Sequence, residues 1–552
     1  MADDDLYLAA QRRKSQLRAL ILAVLVLVAV GGFFWKQGQE ASRVDALVAQ
    51  GEASIASADF DSLKSTVRAA GQELNENSRA SATVLAVDAR AELLIHVLYT
   101  GVRSQRQRAE EMVEIAEERD AVHPAVRLTR AMVEACVGNP QTALSGLEGA
   151  PFPPLLADQV AAARAEALMR TGDLPGAQAS LRGASTGIGH TWAARVAWRA
   201  GDLDQVLAST QKALAASPDN AAASILSQLA TSRRATAEEA EAQLRALAGG
   251  SALSALHAAD VAVELSRVLR RAGKVDQADE LLEGAAESDE SSVVLRAELS
   301  RVKRFQGSFG AARTLADKGL RAGPDDPVLL AEFAQAAFFN DAADTIEDRA
   351  RRVPKGSEDS AGVRRANALA ALVRGKGGQA IAGLEATRQL GAAGETDLWL
   401  AEAWLRSDNP QKALEAARRA RLLLSDAMGR ESREVAVAVM YEALSLASSG
   451  AAEEAEPLLA EAWTSQNQTP WTAWVYGRYH RVVGNDADAR TALLLACHKG
   501  QDFALSCLDA ADVYESAPGE RGQATLKELR RHYLRTSPKG WHAEAVRTEL
   551  DR

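Results

Sequence analysis

GDLDQVLASTQKALAASPDN, residues Gly201–Asn220, decides how the rest of the chain is read. It opens on a turn residue followed by Asp202, places Val206 five positions on, Ala213 at twelve and Pro218 at seventeen. A turn, then small or apolar residues where a neighbouring helix must come close, then a proline that ends the helix, describes half of a helix pair. The same frame recurs. A turn residue followed five positions later by Ala occurs at Ser104/Ala109, Gly138/Ala143, Gly172/Ala177, Ala235/Ala240, Gly273/Ala278 and Gly307/Ala312. It resumes at Gly375/Ala380, Asp408/Ala413, Gly450/Ala455, Gly484/Ala489 and Gly519/Ala524, while Gly201 has Val206 and Asn340 has Thr345 at that place. Successive spacings from Ser104 are 34, 34, 29, 34, 38, 34, 33, 35, 33, 42, 34 and 35. A second small position, twelve after the turn, holds Ala116, Ala150, Ala184, Ala213, Ala285, Gly319, Ala420, Ala462 and Ala496. Two small positions sharing one period are the signature of an internal repeat.

This pattern resembles the second half of a tetratricopeptide repeat, in which the turn precedes the second helix and small residues let the two helices approach. Some positions depart from the family. Its late aromatic residue is mostly leucine here (Leu147, Leu181, Leu244, Leu282, Leu384, Leu459), and of the first-helix Trp, Gly and Tyr chiefly Gly477 remains. The resemblance implies an all-α fold: a right-handed superhelical solenoid of antiparallel helix pairs, with a concave groove lined by first helices that takes peptides or extended protein segments. The repeat opened by Asn340 is irregular, with Arg349 and Arg352 where small residues are expected.

The bulk properties agree with an array. A chain of 552 residues exceeds one ordinary core, which stops growing near roughly 250–300 residues, and aromatic residues are only 5%. The net charge of −10 is spread along the chain without a basic block, which disfavours nucleic acid as a partner. Three cysteines make no disulfide framework.

Before the array, Ala19–Trp35 reads ALILAVLVLVAVGGFFW, an apolar run without a charge. At about 1.5 Å per residue this run spans roughly 26 Å, near the lower limit for a bilayer. Arg12, Arg13, Lys14 and Arg18 precede it and Lys36 and Arg43 follow. The expectation is one transmembrane signal anchor, N-terminus cytoplasmic and array extracytoplasmic, with a cleaved signal peptide as the alternative. Alanine and arginine usage suggests a bacterial source, hence a periplasmic array. The expected organisation is a tail at 1–18, the anchor at 19–35, a helical capping region at 36–100, a first part of the array at 101–352 and a second part with a C-terminal cap at 353–552. Ala58-Asp59-Phe60-Asp61 is the best turn candidate in the capping region, and the stretch Arg352–Gly362 and the long spacing around Ser425–Arg433 are the candidate joints.

The richest candidate groove segment is PWTAWVYGRYHRVVG, before Gly484. Trp471, Trp474, Arg478 and Arg481 share a face by their spacing, and Arg195, Arg267, Arg270, Arg301 and Arg304 fall at equivalent places in earlier repeats. Such a ladder would hold acidic or C-terminal carboxylate groups. The competing reading is packing for the tryptophans and helix-end electrostatics for the arginines. Cys497 and Cys507 flank a turn near Gly500 and are either a disulfide or two buried thiols; His498 lacks a second ligand at metal spacing. No nucleotide-, zinc- or nucleophile-type motif is present, so no enzyme, cofactor or metal is expected. The function expected is a membrane-anchored scaffold for proteins in an envelope-associated complex. The alternatives are a self-associating structural component and an enzyme with an unrecognised site.

Overall fold

The computed structural model describes residues 2–551 apart from 77–80, 101, 150, 250–254, 290–291, 322, 325, 354–357, 392–393, 464–467 and 516–518; the side chains of 2–21, 23, 29, 31, 255 and 256 also lie outside the description. The described residues are helical, with one isolated parallel bridge between Ser308 and Gln501 as the exception to coil and turn between helices.

The local chemistry of the signature is visible at its type example. Helix Gly187–Ala200 ends because Gly201 adopts φ 78°, a left-handed conformation open to glycine at little cost. Its amide and that of Asp202 close on Trp198 O and Ala197 O at 3.2 and 3.0 Å. Asp202 then caps the next helix, Leu203–Ala216, by accepting from the Gln205 amide at 3.0 Å. Val206 and Ala213 turn inward and are fully buried. The Gly-Asp dipeptide therefore stops one helix and starts the next within two positions. Gly172, Gly273, Gly307, Gly375, Asp408, Gly450, Gly484 and Gly519 share the positive φ.

The five-position residues from Ala109 to Ala489 named above are buried against the first helices, with two instructive exceptions in the series. At Asn340 the left-handed residue is Asp341 (φ 55°), one later than read from the sequence. Ile346, rather than exposed Thr345, then points inward, and Arg349 pairs with Asp317 at 3.5 Å. The irregularity is a one-residue shift of register. Ala524 is exposed because helix Gly519–Thr536 buries Gly522, Leu526, Leu529 and Tyr533 instead. Ala150 lies outside the described residues.

Successive first helices pack on one another, for example Val293–Phe305 on Pro327–Phe339 and that on Ala361–Val373. Several are buried all round: every residue from Leu329 to Phe339 and from Glu434 to Ala447 is shielded from solvent. The cause is contact between coils of the array. Asn220 donates to Ser57 O (3.3 Å, 163 residues apart), His257 lies 2.8 Å from Leu98 O (159 apart) and Ser537 donates to Asn340 O (2.7 Å, 197 apart). At about 34 residues per repeat, such separations correspond to about five or six repeats. Gly307 also bonds Gln501, and a Cβ on Gly307 would collide with the Pro470 ring. The coils thus touch, and the C-terminal helices are clasped to the buried Asp341 carboxylate by Tyr533 Oη (2.6 Å) and the His542 amide (2.9 Å). The largest apolar core runs from Ala297 to Val546 and continues across residue 352, so the expected joint there does not separate two cores; residues 354–357 of that stretch are outside the description.

The membrane anchor is not upheld. Ala19–Trp35 forms an interior stretch of one 56-residue helix, Ala2–Ser57, that runs on into the first helix pair. Among the described residues, no helix is long and apolar enough to cross a membrane. The uncharged run from Ala19 to Trp35 reaches only the lower end of the length that a span needs, and polar turns of the same helix adjoin it. The single-pass topology, the cytoplasmic N-terminus and the extracytoplasmic, periplasmic placement of the array are withdrawn with it. Ala58, in the turn read within the capping region, does adopt φ 53° between this helix and Phe60–Glu76.

Candidate functional site

The arginine ladder exists, but the chain supplies its own carboxylates. Glu264, Glu298 and Glu332 recur at the repeat period, and Arg267 and Arg301 follow the first two of them on the same face. Arg267 joins Glu264 and Glu298, each at 2.8 Å. Arg301 joins Glu298 and also Glu434, far along the chain. Arg304, wholly buried, makes a bidentate pair with Glu332 (2.9 Å twice) and reaches Glu395 at 2.6 Å. Arg270 is held by Asp279, and Arg195 by Glu166 at 3.4 Å and Val97 O at 3.3 Å. Burial opposes ionisation of Glu298, yet the guanidinium groups of Arg267 and Arg301 outweigh it and hold the carboxyl well below its usual range. Apart from Arg270, whose partner lies in its own helix pair, these arginines join one repeat to another.

Trp471 and Trp474 are core residues. Both are fully buried. Trp471 stacks on Phe305 at 5.0 Å and meets Phe339 edge-on at 4.8 Å; the Trp474 indole donates to Asp509 at 2.5 Å. Helical spacing correctly put them on one face, but coil-to-coil contact turned that face into interior. Neither offers a surface to a ligand.

Arg478 and Arg481 differ: both line a cavity of about 550 Å³. Its walls come from the C-terminal ends of Glu395–Arg406, Arg433–Ser448 and Pro470–Val482, with Ala504–Glu515 and the last two helices opposite. Leu405, Leu444, Leu505 and Leu508 supply apolar surface. Arg406, Arg478, Arg481 and Arg530 face Asp509, Asp512, Glu515 and Glu549, so the lining is charged but balanced. Arg478 and Arg406 hold Glu402 at 2.7 and 2.6 Å. Burial opposes ionisation of Glu402, but these two arginines bring its carboxyl down to about 2. Arg530 is clasped by Glu515 (2.7 Å) and Glu549 (2.9 Å). Arg481 is the loosest: its pair with Asp512 is 3.6 Å long, with the two side chains 51% and 55% exposed. Such a pair is worth little and exchanges easily for another partner.

Cys497 and Cys507 are joined by a disulfide. His498 is not isolated: helix Gly519–Thr536 brings His532 to it, ring centres 5.5 Å apart. No local spacing could have found that neighbour, which belongs to another helix a full repeat period further along. The missed glutamates carry the same long-period signal, since Glu264, Glu298 and Glu332 keep that period among themselves.

No family model matches the chain, and no curated protein matches it. Among solved structures, the crystal structure of the APC/C hetero-tetramer Cut9–Hcn1 is similar at 14% identity, over 85% of this chain and 96% of that one, with a TM-score of 0.40. A likeness that loose carries no function across.

Proposed function

We propose that the chain is a protein-binding scaffold, and that its partner enters the C-terminal cavity as an extended segment. The observation that supports this is the lining: apolar surface from four leucines beside Arg481, a half-exposed guanidinium in a long, exchangeable ion pair. That combination suits a segment placing an apolar side chain on the leucines and a carboxylate on Arg481. The rest of the ladder contributes rigidity, because its charges are already paired. Association with an envelope complex rested on the withdrawn tether and is dropped.

A photo-crosslinking residue at Leu508, in the full chain in its native cell, tests the reading. The expected adduct is a partner protein, reduced several-fold by Arg481→Glu and not formed from the outward-facing Thr525. Adducts equal at the two positions would sink the proposal, and adducts between two copies of this chain would replace it with self-association.

A further inference from the structure

The end of the array gathers metal-binding donors that the disulfide keeps occupied. Cys497 and His498 stand in the last turn of Asp486–Lys499, Cys507 in Ala504–Glu515 and His532 in Gly519–Thr536. One donor atom each of Cys497, His498 and His532 lies within 4.8 Å of the others, and Cys507 is bonded to Cys497. Around a single zinc ion, bonds of about 2.3 Å to sulfur and about 2.0–2.1 Å to nitrogen put donors within roughly 4 Å of one another. Small rotamer changes close the difference, because His498 is exposed and free to turn. The sulfurs are buried and the imidazoles lie toward solvent, which gives an ion a way in. Arg535, 3.3 Å from His532 Nδ1, is exposed and already shares Glu528 at 2.9 Å, so it can move aside.

We infer that, once its disulfide is reduced, this end of the array binds one zinc ion through Cys497, Cys507, His498 and His532. Two thiolates and two imidazoles form the tetrahedral set that suits zinc. A dithiol reductant passes two electrons to the pair: its own thiols close to a disulfide, and Cys497 and Cys507 become thiols. Zinc then displaces the two thiol protons. Disulfide and metal are mutually exclusive states of one site that ties three helices together.

The test uses the full chain in two forms, disulfide-bonded and reduced under exclusion of oxygen, titrated with cobalt(II) as a coloured stand-in for zinc. The reduced form is expected to bind one cobalt per chain with thiolate charge-transfer and tetrahedral d–d bands, displaced by zinc; the disulfide form shows neither. His498→Ala, an exposed change that leaves the fold intact by circular dichroism, and His532→Ala should each weaken binding by more than about tenfold. A reduced chain that binds no cobalt, that shows a six-coordinate spectrum, or that binds equally well in both histidine variants overturns the inference.

Discussion

Replacing Trp471 with alanine separates a core tryptophan from a ligand-binding one. The indole is fully buried between Phe305, Phe339 and Trp399, with ring centres at 5.0, 4.8 and 5.7 Å. A tryptophan buries about 150–250 Å², and at about 25 cal/mol per Å² that amounts to roughly 4–6 kcal/mol. Partial collapse of the cavity reduces the loss, and buried Trp→Ala changes cost about 3–5 kcal/mol. We therefore expect a loss of about 4 kcal/mol, read as a drop in the urea midpoint followed by far-ultraviolet circular dichroism. Because arrays unfold by units, the helical signal should be followed together with amide exchange in 293–339, the segment that touches the ring. Trp471→Phe should recover much of the loss by keeping an aromatic ring in place. A Trp471→Ala chain within about 1 kcal/mol of the parent, yet unable to hold its partner, would refute the placement and restore the tryptophan to a groove.

Other outcomes follow from the contacts between coils and from the ion pairs. Gly307→Ala forces a side chain into left-handed backbone and toward Pro470; it should cost about 1–3 kcal/mol in thermal unfolding. Glu298→Gln takes from Arg267 and Arg301 the carboxylate they share, leaving them Glu264 and Glu434, and should cost about 1–3 kcal/mol, measured by denaturant titration. Because the Glu402 carboxyl is depressed from its usual value near 4.5 to about 2, its contribution is complete above the upper value and is lost as pH falls toward the lower. Thermal midpoints should therefore decline between those limits, less steeply in Glu402→Gln. His542 is shifted the other way: its hydrogen bond to Asp341 raises it above 6.5 despite burial. The clasp it makes is complete below that value and weakens as pH rises through the raised one, so amide exchange in 519–551, corrected for intrinsic rate, should quicken there.

The helix pairs were legible because local chemistry sets them. Gly201 and Asp202 end and begin helices by rules acting within a single turn, and the buried small positions repeat with them. The shift at Asn340 escaped because Asp341, a residue that tolerates the left-handed conformation, follows Asn340, which can serve as the turn residue equally well. The site was less legible because it depends on which coil lies against which. Trp471 looks like a groove residue in its own repeat; only the approach of Phe305, from a helix several repeats earlier, makes it core. His532 beside His498 is another product of how the helices stack rather than of any short motif.

The ladder also explains where binding is left to occur. Arg267, Arg301 and Arg304 each bridge to a carboxylate on another helix, so an acidic ligand could gain such an arginine only by leaving that glutamate buried and unpaired. Exposing a buried pair member to that fate costs about 3–5 kcal/mol, comparable to or larger than the roughly 1.5–3 kcal/mol of a new charged hydrogen bond. The middle of the array is therefore closed to such ligands by energy as well as by packing. Displacing Asp512 from Arg481 involves a half-exposed pair with a length of 3.6 Å, for which the corresponding cost is about 0–1 kcal/mol. The balance favours an incoming carboxylate at Arg481 and opposes one at Arg304, although both residues belong to the same recurring pattern on first helices.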